Sequence, residues 1–170
     1  MTDVAFRTAI AADLPAIVQL LADDELGRGR ESAGLPLDPR YVAAFEAIAA
    51  DRNQRLVVAV SGAKPGSGDG GTIVGTLQLS FIPGIARRGA WRGQIEAVRI
   101  AAGLRSSGIG QQMFEWAIAA CRAQGCSLVQ LTTDKGRPDA HRFYEKLGFT
   151  ASHEGYKLLF SDHSAASALA

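Results

Sequence analysis

The sequence has 170 residues, of which 47% are apolar, and this favours one globular domain with a substantial core over a disordered chain. Its 18 basic and 17 acidic residues give a net charge of +1, which argues against broad electrostatic binding to nucleic acid or membranes. The sequence lacks an uncharged apolar run of about 18 residues and a signal-peptide core, so we expect a cytoplasmic protein. The two cysteines, Cys121 and Cys126, fit a reducing compartment better than a disulfide framework.

The N-terminal part predicts a strand followed by two helices. Val4 to Thr8 is typical of a strand, and Asp13 is placed to cap a helix from Leu14 to about Asp24. The segment from Glu25 to Leu37 holds three glycines and a proline, and it predicts a loop. A second helix is predicted to begin after Asp38, where a proline occupies the first helical position.

Three strands are predicted next, over Leu56 to Val60, Ile73 to Phe81 and Ile95 to Ile100. The first two are joined by Ser61 to Gly71, whose five glycines predict a flexible hairpin connection. The last two are joined by a basic loop from Ile82 to Arg92. The strand that ends at Ile100 alternates irregularly, which indicates a local distortion.

The C-terminal part predicts a helix over Gly108 to Ala123, a strand over Leu128 to Thr133, a helix over Asp139 to Leu147 and a hairpin of Thr150 to His153 with Tyr156 to Phe160. The resulting order, β-α-α-β-β-β-α-β-α-β-β, predicts an α+β fold: a mixed, mostly antiparallel sheet with helices on both faces. We expect one domain over residues 1–160 and a disordered tail over residues 161–170.

A glycine-containing loop lies between a predicted strand and a predicted helix, and it reads Arg105-Ser106-Ser107-Gly108-Ile109-Gly110. The first N–H groups of a helix lack partners within the helix, and glycine lets a ligand approach the backbone, so the loop predicts a pyrophosphate site. A dinucleotide-binding fingerprint would need a third glycine where Met113 stands, and no Gly-Lys-Ser/Thr triplet is present. A structural loop before an ordinary helix explains the hexapeptide alone about equally well.

A second motif follows one helix and one strand later, and it reads Ala140-His141-Arg142-Phe143-Tyr144-Glu145-Lys146-Leu147-Gly148-Phe149. The two motifs in this order resemble the GNAT superfamily of acetyl-CoA-dependent N-acetyltransferases, and the resemblance covers about Ile73 to Phe160. It implies transfer of the acetyl group of acetyl-CoA to a primary amine, by direct attack in a ternary complex. It also implies acetyl-CoA as cosubstrate, no metal, and an amine acceptor on a small molecule or a peptide.

The resemblance places the cofactor on the strand end, the glycine loop and one residue beyond: Val98, Arg99, Ile100, Arg105, Ser106, Ser107, Gly108, Ile109, Gly110 and Arg137. The chain departs from the family pattern at Arg137, where many members carry an asparagine. An arginine cannot accept a hydrogen bond as asparagine does, so Arg137 would contact a phosphate of CoA instead. Asp134 or Thr133 would then replace the asparagine.

Two residues are expected to move protons. By resemblance, Tyr144 is the general acid that protonates the leaving thiolate, since a tyrosine pKa near 10 is close to that of a thiol. The alternative is a helix tyrosine that packs beside Phe143. Glu96 is the candidate general base, acting through water, while a solvent-facing carboxylate or a partner for Arg99 explains it equally well. Backbone N–H groups of the strand from Val98 to Ile100 would stabilise the carbonyl oxygen if the strand bulges there.

Rival functions and partners follow from the same residues. A non-catalytic acyl-CoA-binding or regulatory domain on the same fold would keep the glycine loop and would not need Tyr144. A DNA-binding regulator is the weaker rival, because the helix after Gly110 carries only Arg122 as a basic residue. We therefore expect no nucleic-acid or membrane partner. The resemblance also allows a homodimer, for which the terminal hairpin would provide strand edges.

Overall fold

The computed structural model describes residues 4–23, 29–62, 71–158 and 160. The strands found in this part of the chain are β1 (Val4–Thr8), β2 (Gln54–Ser61), β3 (Thr72–Pro83), β4 (Trp91–Ile100) and β5 (Cys126–Leu131). The helical segments are α1 (Leu14–Ala22), α2 (Pro39–Ala50), the single turn α3 (Ala86–Gly89), α4 (Ile109–Ala123) and α5 (Pro138–Lys146). None of these helices has the length and apolarity needed to span a bilayer.

The five strands form one sheet in the order β1-β2-β3-β4-β5. The first four strands pair antiparallel, and β5 pairs parallel to β4. A parallel pair needs a crossover connection, which α4 provides between β4 and β5. The mixed, mostly antiparallel sheet predicted from the sequence is therefore confirmed.

α4 packs closely on one face of the sheet because two strand glycines leave room for it. A Cβ atom on Gly93 would overlap the Sγ atom of Cys121, and one on Gly75 would lie 3.0 Å from the Sδ atom of Met113. Cys121 and Met113 are fully buried, as is Phe114. Cys121 is therefore a core residue, and burial raises the pKa of its thiol to about 12.

α1 and α2 cover part of the opposite face. The core there joins Ile17 of α1 to Val58 and Val60 of β2, with Phe45 of α2 packed against it. Side chains of a strand alternate between the two faces, so the strand residues next to Gly93 point away from α4. The fold thus divides the side chains of β3 and β4 into an α4 face and an opposite face.

Asp13 corrects one prediction about the N-terminal helix. Its side chain does not cap α1. It accepts hydrogen bonds from Nη1 of Arg7 at 2.6 Å, from Nη2 of Arg7 at 2.9 Å and from the backbone N–H of Ile10 at 2.8 Å. The helix pattern around Asp13 gives no information about its bidentate partner, Arg7 of β1. The Asp13 carboxylate stabilises the turn between β1 and α1 instead of capping the helix.

The predicted terminal hairpin is the second correction. No strand is found over residues 147–158 or at 160, where the described backbone is irregular and largely exposed. Tyr156, Leu158 and Phe160 are exposed by 91%, 81% and 76%, so their alternating pattern does not correspond to a half-buried strand in this structure. The predicted tail over residues 161–170 and the predicted connection over residues 63–70 lie outside the described residues.

The chain divides into two compact units, Met1–Thr133 and Asp134–Ala170. The first unit contains the sheet with α1 to α4, and the second contains α5. The expectation of one domain over residues 1–160 stays a prediction.

Substituting Gly93→Ala should destabilise the protein by about 1–3 kcal/mol, because the new methyl group must displace the Cys121 side chain in a packed core. The free energy of unfolding in urea measures the change. Gly34→Ala is the matched control, since a Cβ atom there meets nothing within 4 Å. Equal stability of both variants would contradict the close packing of α4 on β4.

Substituting Asp13→Asn should cost about 1–3 kcal/mol at neutral pH, because it removes a charge-assisted, bidentate hydrogen bond to Arg7. That bond holds the pKa of Asp13 below its ordinary 3.8, so the pair stabilises the fold above that pH and less as the pH falls through the lowered pKa. The difference in unfolding free energy between wild type and variant should therefore shrink in acid. Glu154→Gln, which breaks an exposed pair with Lys135, should have a much smaller effect.

Candidate active site

The first unit contains a fork where β4 and β5 separate. Their parallel pairing ends at Ile95 opposite Leu131, while β4 continues to Ile100. Over this last stretch β4 pairs with β3, and no strand of the described chain pairs with its other edge. Backbone groups along that edge are therefore available to a ligand.

A bulge distorts β4 just past the fork. The register with β3 passes from Gln78 opposite Glu96 to Thr76 opposite Arg99, so one β3 residue faces two residues of β4. Ala97 has a φ of 52°, a left-handed conformation that is uncommon for a residue with a side chain. The local irregularity predicted from the sequence is thus confirmed as a bulge.

The N–H groups of Val98 and Ile100 point towards the open edge. The N–H of Ala101 donates to the carbonyl oxygen of Val74 at 2.9 Å, so this residue faces β3. N–H groups of successive strand residues alternate in direction, so those of Ile100 and Val98 face away from β3. Each of these outward donors can bind one acceptor oxygen of a ligand, including an oxygen on which negative charge develops.

The glycine loop turns the chain into α4. Ser106 and Gly108 have φ values of 65° and 89°, and a Cβ atom on Gly108 would force strain. The first hydrogen bond of the helix runs from the N–H of Gln112 to the carbonyl oxygen of Gly108 at 3.1 Å. The N–H groups of Ile109 and Gly110 precede that bond, and together with the helix dipole they provide positive potential for a phosphate group. The backbone therefore offers N–H donors to an anionic group, as the sequence predicted for a pyrophosphate.

Arg105 is held by contacts that the sequence did not predict. Its Nη2 donates to the carbonyl oxygen of Asp23 at 3.1 Å and lies 3.7 Å from the Asp23 carboxylate, and its Nε lies 3.4 Å from the carbonyl oxygen of Ile100. Asp23 follows the end of α1, far from the motif in sequence, so no local signal could have identified it. The guanidinium is half exposed, and these contacts keep it between the strand end and α1.

The side chains of Glu96 and Arg99 share the face opposite α4, since their β3 partners, Gln78 and Thr76, are two residues apart. The Glu96 side chain is exposed, whereas Arg99 is half-buried and donates from Nη1 to the carbonyl oxygen of Val98 at 2.8 Å. Glu96 therefore lies one residue past the fork with its carboxylate accessible. This placement suits a group that receives a proton from an incoming amine.

Tyr144 and Arg137 belong to the second unit. Tyr144 is half-buried on α5, where its ring lies 5.6 Å from that of Phe143 and 6.3 Å from that of Phe149, both edge-on. Arg137 is the residue before α5. Asp134 is one of the two residues suggested from the sequence to replace the asparagine. One oxygen of its carboxylate accepts a hydrogen bond from the N–H of Gly136 at 2.8 Å.

The structure brings together the first-unit residues predicted for the cofactor, because strand end, loop and helix start are continuous. The roles of Tyr144, Glu96 and Arg137 stay predictions. Among the described residues, no group of three or more histidine, cysteine or acidic side chains is arranged to hold a metal ion.

Comparison with known proteins adds independent findings. The model of the acetyltransferase (GNAT) family matches residues 16–149. A crystal structure of a transcriptional regulator from Bacillus halodurans C-125 is similar, with 49% identity, a TM-score of 0.85, and coverage of 93% of this chain and 100% of that one. An acetyltransferase from Clostridium acetobutylicum, solved with acetyl-CoA, has the same fold, with a TM-score of 0.67, 20% identity and coverage of 92% and 96%.

A curated relative matches over a shorter stretch. The aminoalkylphosphonate N-acetyltransferase of Salmonella typhimurium is 38% identical over 63 residues, which is 37% of this chain. The match spans 41% of that relative's length. The family model, in contrast, extends over most of the sequence and includes both motifs. The chain therefore belongs to the GNAT family of acetyltransferases.

Proposed function

We propose that this protein transfers the acetyl group of acetyl-CoA to a primary amine by direct attack within a ternary complex. The observation that carries the proposal is the open edge of β4, where the bulge at Ala97 and the end of the β5 pairing leave the N–H groups of Val98 and Ile100 facing outward. Such donors stabilise negative charge that develops on a carbonyl oxygen.

The CoA site is the glycine loop with the start of α4. Acetyl-CoA supplies an acetyl group activated as a thioester. The N–H groups of Gly108, Ile109 and Gly110 and the guanidinium of Arg105 hold its phosphates. By resemblance, Arg137 is a further residue proposed to contact a phosphate of CoA. Val98, Arg99 and Ile100 provide the backbone beside the thioester.

The remaining steps are proton transfers. The amine must be neutral to attack, and Glu96 accepts its proton, directly or through water. As the C–S bond breaks, the phenol of Tyr144 donates a proton to the leaving sulfur. No covalent acyl-enzyme is required, because the amine itself attacks the carbonyl carbon of the thioester.

A regulatory role without catalysis is the second candidate. The relative that is 49% identical over 93% of this chain is described as a transcriptional regulator. A regulator of this kind would bind acyl-CoA through the same loop and would not depend on the hydroxyl of Tyr144. Acetyl transfer and acetyl-CoA binding, measured for the wild type and for Tyr144→Phe, distinguish the two candidates.

Acetyl-CoA and free CoA should both raise the melting temperature, and NAD should not. A ligand at about a hundred times its Kd adds ~2.7 kcal/mol to the stability of the folded state. Arg105→Ala should weaken acetyl-CoA binding by about tenfold or more through the loss of a charge-assisted contact. Arg122→Ala, an exposed arginine near the other end of α4, should leave binding unchanged. The absence of a shift with any CoA species would contradict the cofactor site.

Substituting Tyr144→Phe should lower kcat for acetyl transfer by about 10²-fold or more, because the leaving thiolate loses its proton donor. Binding of acetyl-CoA should persist, since the ring contacts with Phe143 and Phe149 are retained. Tyr156→Phe is the control, as Tyr156 is 91% exposed in the same unit. Thiol release measures the rate. Full activity of Tyr144→Phe would refute the acid role. A wild-type protein that binds acetyl-CoA but transfers no acetyl group would favour the regulatory candidate.

A further inference from the structure

The sheet carries a row of amide side chains on the face opposite α4. Gly93 faces α4, so Gln94 points to the other side, and the strand register aligns it with polar residues of three other strands. We call this set the amide row, and its members are Gln54 of β2, Gln78 and Ser80 of β3, Gln94 of β4 and Gln130 of β5.

Hydrogen bonds join the row into two groups. Nε2 of Gln130 donates to Oε1 of Gln94 at 2.6 Å. Nε2 of Gln78 donates to Oε1 of Gln54 at 2.8 Å, and the hydroxyl of Ser80 lies 3.5 Å from the same oxygen. Gln130 is exposed and the other members are half-buried, so the row can be reached from solvent.

Several polar atoms of the amide row have no hydrogen-bond partner among the described residues. In that part of the chain, no partner is found for Nε2 of Gln94, Oε1 of Gln130 or Oε1 of Gln78, and Nε2 of Gln130 and of Gln78 each keep a second N–H donor. A hydroxyl group both donates and accepts, so it can match either kind of amide atom. Glu96 and Arg99 face the same side, so one carboxylate and one guanidinium lie on the face that carries the row. The open amide groups, which include both donors and acceptors, thus match a ligand with several hydroxyl groups.

The row lies directly beside the fork. Gln94 and Gln130 are one residue before the last paired residues of β4 and β5, and Gln78 is opposite Glu96. Strand geometry puts Gln94 about 13 Å from Val98 along β4. An amine whose nitrogen reaches the open edge could therefore extend its remaining atoms back over the row, provided that the molecule is several bonds long.

We propose that the amide row is the acceptor subsite and that the acceptor is a primary amine with several hydroxyl groups along a chain or ring of roughly 10 Å. This inference rests on the proposed acetyl transfer. Gln94, Gln130 and Gln78 bind the hydroxyl groups and so place the reacting nitrogen between Glu96 and the N–H groups of Val98 and Ile100. The N–C bond forms at that edge as the C–S bond breaks, and the proton lost by the nitrogen goes to Glu96.

The test compares acceptors of equal length. With acetyl-CoA saturating, kcat/KM should be at least about tenfold higher for 1-amino-1-deoxysorbitol than for hexylamine, because hydrogen bonds to the hydroxyl groups add to binding. The Gln94→Leu/Gln130→Leu double variant should remove most of this preference through a higher KM for the polyol amine. Gln124→Leu, at the end of α4, is the control.

Each outcome decides the inference. A wild-type enzyme that shows no preference for the polyol amine, or that prefers 2-aminoethylphosphonate, would overturn it. So would a preference that persists in the double variant, once the acetyl-CoA melting shift shows that this variant is folded. The preference of the wild-type enzyme for the polyol amine is measured without any variant. This comparison can therefore still contradict the inference if the double variant misfolds. Transfer to none of the three amines, with acetyl-CoA still binding, would overturn the proposed function itself and the subsite with it.

Discussion

The close approach of α4 to the sheet is the constraint on which the rest of the site depends. Gly93 and Gly75 lack side chains where Cys121 and Met113 of α4 press against the strands. This packing fixes the helix beneath β4, and the short loop after Ile100 then brings the start of the helix to the strand end. The free N–H groups of the helix and those of the strand edge consequently lie close together on one continuous stretch of backbone.

The two faces of the central strands have different roles. The α4 face is apolar and supports the backbone from which the N–H groups project. The opposite face is apolar only where α1 and α2 cover β2, and it is polar towards the fork, where Gln94 and Glu96 lie. A site that uses backbone groups for the thioester and side chains for the acceptor can keep its chemistry while its acceptor changes, because substitutions on the polar face leave the packed face intact.

Local signals in the sequence were sufficient for most of the elements. The alternation of β3 and the helical spacing of α4 predicted both, and the irregularity before Ile100 indicated the bulge. Boundaries were less accurate: β4 begins at Trp91 rather than Ile95, since Arg92 and Gly93 carry no apolar signal although both pair with β3. The terminal hairpin was wrong for the described residues, because alternation at Tyr156 and Leu158 gives no information on whether a partner strand is available.

The site was predictable only where it is continuous in sequence. The glycine loop and the strand end form a local motif, so the sequence could point to them by resemblance, and their role in binding stays a prediction. The contact between Arg105 and Asp23 and the alignment of Gln94 with Gln130 depend on how distant segments meet. Strand register decides such pairs, and register follows from the summed packing of the whole sheet rather than from any local pattern.

The bulge at Ala97 also determines which changes in chain length β4 can accept. Glu96 and Arg99 are three residues apart, and they share a face only because the bulge contributes one extra residue. Deleting Ala97 together with the bulge would leave Glu96 and Arg99 two residues apart, so strict alternation would keep both on the polar face and Arg99 opposite Thr76. Straightening the strand without a deletion would instead move Arg99 opposite Gly75 and turn its charged side chain towards α4. Chain length and bulge are therefore coupled in β4, since a change of one residue between the fork and Ile100 preserves the facing of the side chains only when the bulge is gained or lost with it.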